Sequence, residues 1–129
     1  MKVAIVDETG DVGRGSLASR YLVMAAIATD NIETIRRVVT RTRKRLDKRR
    51  RDIPEFKAFK TDPRVIRKLL AHLAETNCEI LIAVACKPDL LPRAEAEDLY
   101  RELCALLVSR CVDRYNQVTL ILDRRYTDP

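Results

Sequence analysis

The sequence predicts a single domain, residues 1–129, of the mixed α/β class. The length suits one domain, because domains commonly hold about 100–200 residues. Short apolar runs typical of strands alternate with segments in which apolar residues recur every three or four positions, as they do in helices. Hydrophobic residues make up 47% of the chain, and it has only 3 Gly and 5 Pro. This composition favours a folded core over a disordered or fibrous chain.

Two apolar runs near the start, Lys2–Asp7 and Tyr21–Ala28, predict the first two strands. Glycines between them favour turns, so we expect a β-hairpin with a long loop. Asp30 and Glu33 are a candidate capping pair for a long basic helix that extends to Arg51. The packed stripe expected on this helix is Ile32, Ile35, Val39, Thr42 and Leu46.

A short extended segment, a second helix and a third strand are expected next. Glu55–Lys60 alternates charged and aromatic residues, as an edge strand or an extended loop does. Asp62 and Pro63 form a favourable N-cap and first-turn pair for a helix. Cys78–Cys86 is apolar almost throughout, which is typical of a strand buried on both faces in a parallel part of a sheet. The apolar stripe expected on the second helix is Val65, Ile66, Leu69, Leu70 and Leu73.

A third helix and a last strand complete the predicted domain. The helix is expected from Pro92 to near Asn116, and the strand at Gln117–Asp123. The order of elements indicates a mixed sheet with helices on both faces and right-handed parallel crossovers in its later part. The inward-facing residues of the third helix are expected to be Leu99, Leu103, Leu106 and Leu107.

Positive charge is concentrated in one stretch of the chain, whose formal net charge is +6. Residues 36–51 hold ten basic side chains and one acid, Asp47. Such a run is either the solvated side of a helix or a surface for nucleic-acid phosphates, and repulsion among like charges favours the second. The candidate nucleic-acid-binding residues are Arg36, Arg37, Arg41, Arg43, Lys44, Arg45, Lys48, Arg49, Arg50 and Arg51.

Other features exclude some classes of protein. The apolar stretches are shorter than the ~20 residues that span a bilayer, and the first residues do not resemble a signal peptide, so we expect a cytoplasmic protein without a membrane partner. An aromatic content of 5% disfavours base-stacking single-strand binders. His72, the one histidine, is expected at the surface rather than as a catalytic base. The cysteines lack CxxC spacing and are expected to be reduced core side chains: Cys78, Cys86, Cys104 and Cys111.

Acidic side chains follow two of the predicted strands. The first strand ends in Asp7 and Glu8, and the last ends in Asp123. Ligands of such sheets bind beyond the carboxyl ends of the strands. If the two strands are parallel neighbours, Asp7 and Asp123 lie side by side and share oxygen ligation of Mg²⁺ or Mn²⁺. The alternative is that each acid caps a turn or pairs with a nearby arginine.

Three short motifs resemble one protein family. The stretch Asp7–Asp11, DETGD, is similar to the DESGD opening of the family catalogued as domain of unknown function 3800, with Thr9 where Ser is usual. Glu55–Lys57, EFK, resembles that family's E-aliphatic-K element. Leu120–Arg125, LILDRR, resembles its strand that ends in Asp. The motifs agree in order and separation, and the resemblance spans nearly the whole chain.

The resemblance implies a ribonuclease H-like fold and a nuclease that uses Mg²⁺ or Mn²⁺ to hydrolyse phosphodiester bonds, whether of RNA, DNA or a hybrid. Metal binding is then implied for Asp7, Glu55 and Asp123. Glu8 is implied as a ligand or a supporting residue, and Lys57 as a partner of a carboxylate or phosphate. The implied catalytic residues are therefore Asp7, Glu8, Glu55, Lys57 and Asp123.

One departure from the family leaves a second interpretation open. Members continue beyond the final strand into a helix that bears Gln and Asp, whereas this sequence stops at Pro129. The resemblance therefore implies a domain truncated at its C-terminus, with an incomplete site and a homodimer that covers the sheet surface near Asp123. The competing interpretation is a non-catalytic nucleic-acid-binding or assembly module that uses the basic helix. A phosphotransferase role for Asp7 with Thr9 is disfavoured, because the second Asp of that motif is missing.

Overall fold

The computed structural model describes residues 1–10, 18–46, 57–87 and 96–122. The predicted order of strands and helices and the mixed α/β class are confirmed. The chain divides into two compact units, a sheet unit of residues 1–29 and 79–129 and a helical unit of residues 30–78. The elements are β1 (Lys2–Thr9), β2 (Tyr21–Thr29), α1 (Ile32–Lys44), a short 3₁₀ helix (Ala58–Lys60), α2 (Pro63–Ala74), β3 (Glu79–Cys86), α3 (Ala96–Arg114) and β4 (Val118–Leu122).

The sheet unit holds one four-stranded sheet with the strand order β3-β2-β1-β4. β1 and β2 pair antiparallel, with Val3 opposite Thr29 at one end. β4 pairs with β1 in parallel, and Val6 lies opposite Leu122 at the end of this ladder. The sheet is therefore mixed, and its parallel pair is β1 with β4. The predicted hairpin stays a prediction, because residues 11–17, which connect β1 to β2, lie outside the described ranges.

β3 differs from its prediction. It pairs antiparallel with β2 and occupies an edge of the sheet instead of a parallel interior position. Its side chains alternate in burial, so that Ala83 and Ala85 are buried whereas Ile82 and Val84 are 62% and 57% exposed. An unbroken run of apolar residues shows only that a strand can be buried on both faces. Its place in the sheet depends on which other strands pair with it.

α3 covers one face of the sheet. Its buried residues pack in one cluster with strand side chains that include Leu22 and Met24. Leu106, which was predicted to face inward, is instead 50% exposed, because the next residue around the helix, Leu107, takes the inward position. Helices on both faces of the sheet stay a prediction, since α3 is the described helix of this unit. The buried residues of α3 are Leu99, Leu103, Leu107 and Cys111.

The N-cap of α1 lies one residue later in the sequence than predicted. Asn31 is the N-cap, and its side-chain oxygen accepts a hydrogen bond from the Glu33 N–H at 3.1 Å. The predicted capping pair of Asp30 with Glu33 is therefore wrong in its first member. An Asn side chain serves as well as Asp in satisfying a first-turn N–H. The buried stripe that follows is Ile35, Val38, Thr42 and Leu46, whereas Ile32 and Val39 are half-buried.

The end of α1 also differs from the prediction of one helix that runs to Arg51. The helix ends at Lys44, and Arg45 is its C-cap. The N–H groups of Arg45 and Leu46 donate to carbonyls only three residues back, at 3.0 Å each, which is the tight turn that ends many helices. Residues 47–51 lie outside the described part of the chain.

α2 begins as predicted. The Asp62 side chain accepts a hydrogen bond from the Arg64 N–H at 2.8 Å, and Pro63 stands in the first turn. Leu73 is buried, but Leu70 is 52% exposed and does not belong to the packed stripe. The segment before the helix is not an edge strand where it is described, because Ala58–Lys60 forms a 3₁₀ turn. Among the described helices, none combines the length and the apolar character needed to cross a membrane.

Candidate functional site

Asp7 and Glu8 lie near the C-terminal end of β1. Asp7 is exposed, and its Oδ1 accepts a hydrogen bond from the Glu8 N–H at 2.8 Å. A carboxylate has about four lone-pair sites, so this one bond orients the group and leaves acceptor capacity for a cation. The two side chains leave the strand on opposite faces, because successive residues of a strand alternate. Asp7 lies opposite Ala25 and Glu8 opposite Met24, which belongs to the face covered by α3.

The second candidate acid of the sheet, Asp123, lies outside the described residues. The described register of β1 with β4 ends at Val6 and Leu122, which lie side by side. Asp7 and Asp123 are the residues that follow these two in the sequence. The parallel pairing on which the predicted site depends is therefore present, whereas the side-by-side placement of the two carboxylates stays a prediction.

The EFK motif is described only in part. Glu55 falls outside the described residues, and Lys57 is exposed just before the 3₁₀ turn. The Lys57 carbonyl accepts hydrogen bonds from the Lys60 N–H at 3.0 Å and from the Thr61 hydroxyl at 2.8 Å. Lys57 belongs to the helical unit and Asp7 to the sheet unit. Within the described ranges, no three His, Cys, Asp or Glu side chains come together in a group that could hold a metal ion.

The basic segment forms an exposed cationic surface where it is described. Arg36 lies 2.9 Å from Glu33, and both side chains are more than half exposed, so the contact leaves the arginine accessible. The exposed cations of α1 and its C-cap are Arg36, Arg37, Arg41, Lys44 and Arg45, with Arg43 half-buried. The other four predicted contacts, Lys48, Arg49, Arg50 and Arg51, lie outside the described part.

A cavity in the helical unit adds two cations that the sequence analysis missed. It measures roughly 320 Å³ and is lined by Thr42, Arg45, Arg64, Val65 and Lys68. Arg64 and Lys68 are four residues apart, so they share one face of α2. The Thr42 hydroxyl donates to the Val38 carbonyl at 2.9 Å and packs inward. In the sequence, this site could have been recognised from Arg64 and Lys68, two cations spaced by four residues just after the N-cap of α2.

The remaining titratable candidates show no catalytic arrangement among the described residues. His72 is half-buried, and its Nδ1 lies 3.6 Å from a carboxylate oxygen of Glu75. The four cysteines are free thiols, of which only Cys111 is fully buried. Burial raises the pKa of the Cys111 thiol, which favours the neutral and unreactive form. The expectation of core thiols therefore holds fully for Cys111, whereas the other three are half-buried.

Comparison of the chain with protein-family models, with curated proteins and with solved structures finds no match. The resemblance to domain of unknown function 3800 therefore stays a prediction that rests on its three short motifs.

Proposed function

We propose that the protein is a nuclease that hydrolyses phosphodiester bonds of nucleic acid with the help of a divalent cation. The observation that supports this most is the parallel pairing of β1 with β4, whose described register ends one residue before Asp7 and Asp123. Carboxyl ends of adjacent parallel strands are the part of such sheets where ligands gather. Two carboxylates that follow two such strands can bind a cation, whereas unpaired carboxylates are unfavourable in the protein core.

The residues of this site suit a hard cation. Asp7 and Asp123 offer only oxygen donors, which Mg²⁺ and Mn²⁺ prefer. Asp7 is exposed and its carboxylate is oriented by the Glu8 N–H, so it can bind an ion without rearranging the strand. A bound ion would lower the pKa of a water molecule and stabilise the charge that develops on the phosphate.

The cations of the helical unit would bind the substrate backbone. A cluster of carboxylates repels a polyanion unless positive charge offsets it. Three arginines of α1, Arg36, Arg37 and Arg41, are exposed, and guanidinium groups bind phosphate oxygens in bidentate fashion. The cavity lined by Arg45, Arg64 and Lys68 is large enough for a phosphate group and presents cations from two helices.

A non-catalytic nucleic-acid-binding module is the second candidate function. The observation that favours it is that the α1 cations and the cationic cavity lie in the helical unit alone. Binding by these residues requires no contribution from Asp7. The two candidates therefore share a binding surface and differ in whether the acids at the end of β1 act on the bound strand.

A cleavage assay separates the two functions. Fluorescent RNA, DNA and hybrid oligonucleotides would be incubated with the wild type and with Asp7→Asn, in Mn²⁺ and in EDTA. The matched control is Glu75→Gln, because this acid is 77% exposed and lies in the other unit. We expect Mn²⁺-dependent cleavage that Asp7→Asn abolishes and Glu75→Gln retains. Glu8→Gln should reduce cleavage less than Asp7→Asn, since its side chain leaves the opposite face of the strand.

Two results would remove the nuclease proposal. Cleavage that is equal in wild type and Asp7→Asn would come from a contaminant. Salt-dependent binding of oligonucleotides with no cleavage in Mn²⁺ would assign the binding module instead.

A further inference from the structure

Within the described residues, no strand pairs with the outer edge of β3. β3 is the outermost strand on its side of the sheet, and it pairs with β2 without a bulge from Tyr21–Cys86 to Ala28–Glu79. Natural proteins protect edge strands with charged residues, prolines or bulges, because free backbone groups recruit other strands. From Ile80 to Cys86, β3 has no charged residue and no proline. An edge of this kind is suited to pairing with another strand.

A groove runs along this edge, between β3 and α3. It measures roughly 730 Å³, and Arg110 and Arg114 of α3 border it beside the start of β3. Toward the end of β3, around Cys86, a second hollow is bordered by Glu102. Leu106 borders both. α3 therefore runs antiparallel to β3, with Glu102 near one end of the strand and Arg110 near the other.

The row of α3 residues along the groove reverses its charge at its centre. Residues spaced by four form one ridge of a helix. On this ridge two acids precede Leu106 and two arginines follow it, and all five residues are exposed. The ridge consists of Asp98, Glu102, Leu106, Arg110 and Arg114.

This charge pattern is complementary to a second copy of itself. When two such ridges lie antiparallel about Leu106, Glu102 of each copy meets Arg110 of the other. Within one chain these two residues are eight positions apart, about 12 Å along the helix, and cannot pair with each other. Neither has an ion pair with another residue in the described part of the chain. Asp113 borders the groove on a neighbouring row of the helix, and the pairing does not use it.

We propose that β3 pairs antiparallel with β3 of a second copy about a two-fold axis beside Leu106. The sheet then continues from one copy into the other, and the two α3 helices lie side by side across the dimer interface. An antiparallel strand pair has the two-fold symmetry of a closed homodimer, so the same patch serves both copies. The pairing satisfies the outer backbone groups of β3 and covers apolar surface of Ile82 and Val84.

Charge reversal tests this dimer. Sedimentation velocity of the wild type should show a dimer at micromolar concentration. Glu102→Arg and Arg110→Glu each place like charges opposite one another at two symmetric positions, and each should raise the dimer dissociation constant about tenfold or more. The double variant restores both pairs with exchanged signs and should return to near the wild-type constant. Arg67→Glu changes an exposed cation of α2 and has the same change in charge as Arg110→Glu, so it is the control for that variant and should dimerise like the wild type.

A second pair of variants locates the edge. Ile82→Lys places a charge at the middle of the free edge of β3 and should give a monomer with an unchanged circular dichroism spectrum, because the side chain is 62% exposed. Ile121→Lys changes a residue of β4, the opposite edge strand, that is 44% exposed, and it should leave the dimer intact.

Three results would overturn the proposal. The first is a wild type that remains monomeric at about 100 µM, a concentration at which dimers of ordinary affinity form. The second is a dimer that both single reversals leave unchanged, or that the double variant fails to restore. The third is a dimer that Ile121→Lys breaks and Ile82→Lys does not, which would place the interface at β4.

Discussion

Glu79 at the start of β3 accepts a hydrogen bond from Nε of Arg114 at the end of α3, and the two side chains form an ion pair. The amino group of Lys2, on β1, lies 4.0 Å from the other carboxylate oxygen of Glu79. One acid thus contacts cations from β1 and from α3. The arginine is also favourable at a helix C-terminus, where the helix dipole is negative. These contacts hold the end of α3 beside the start of β3 and so establish its antiparallel direction over the strand.

The cationic cavity of the helical unit predicts a position-specific effect on nucleic-acid binding. Arg64→Ala removes a cation that lines the cavity, so it should weaken binding and lower the slope of log affinity against log salt by about 0.9 if one duplex phosphate contact is lost. Fluorescence anisotropy of a labelled duplex over a range of salt concentrations measures both quantities. Arg67→Ala removes a cation of the same helix that does not line the cavity. An equal loss of slope in the two variants would contradict the site.

Adjacent leucines of α3 should differ in their contribution to stability. Leu107 is 2% exposed and Leu106 is 50% exposed. Leu107→Ala leaves a cavity in the core and should lower the free energy of unfolding by about 2–5 kcal/mol. Leu106→Ala should cost less than about 1 kcal/mol at protein concentrations too low for dimers. Urea unfolding followed by circular dichroism measures both, and similar losses would show that the helix is rotated from the described position.

Burial of Cys111 predicts how stability depends on pH. Its thiol pKa is raised above the ordinary value of 9.0 by burial, so the unfolded chain loses this proton first as pH rises. The contribution of the Cys111 thiol to stability is complete at pH values below its pKa in the unfolded chain. This contribution is lost as the pH rises through its pKa in the folded protein. The free energy of unfolding of the wild type should therefore fall more steeply above about pH 9 than that of Cys111→Ala. Leu106→Ala keeps the buried thiol and changes an exposed side chain, and its stability should fall with pH as steeply as that of the wild type.

The N-cap of α2 predicts a measurable local contribution. Asp62→Ala removes the side chain that accepts the Arg64 N–H, and it should lower the free energy of unfolding by about 0.5–2 kcal/mol. Asp62→Asn keeps a side-chain acceptor and should cost much less. Hydrogen exchange of amides in the first turn of α2 measures the effect within the helical unit. Equal protection in Asp62→Ala and the wild type would show that the cap does not stabilise this turn.

Local interactions allowed the sequence alone to predict several elements. Asp62 and Pro63 act within one helical turn, so the start of α2 could be predicted without knowing what packs against it. The spacing of Leu99, Leu103 and Leu107 likewise placed the packed side of α3. The exposure of the α1 cations could be predicted from their positions in the sequence, because the exposed side of an amphipathic helix is where such charges are stable.

Other properties depended on contacts between distant parts of the chain. The run from Ile80 to Cys86 is compatible with either an edge or a central strand. It is an edge strand because, in the described sheet, it pairs with β2 and with no other strand. Arg45 and Arg64 line one cavity because α1 and α2 pack together, although no local pattern joins them. The parallel pairing of β4 with β1 likewise joins the two ends of the described chain. The sequence by itself determined the order of the main strands and helices, because those preferences depend on near neighbours. The tertiary structure decided which surfaces meet, because strand pairing and helix packing depend on residues far apart in the chain.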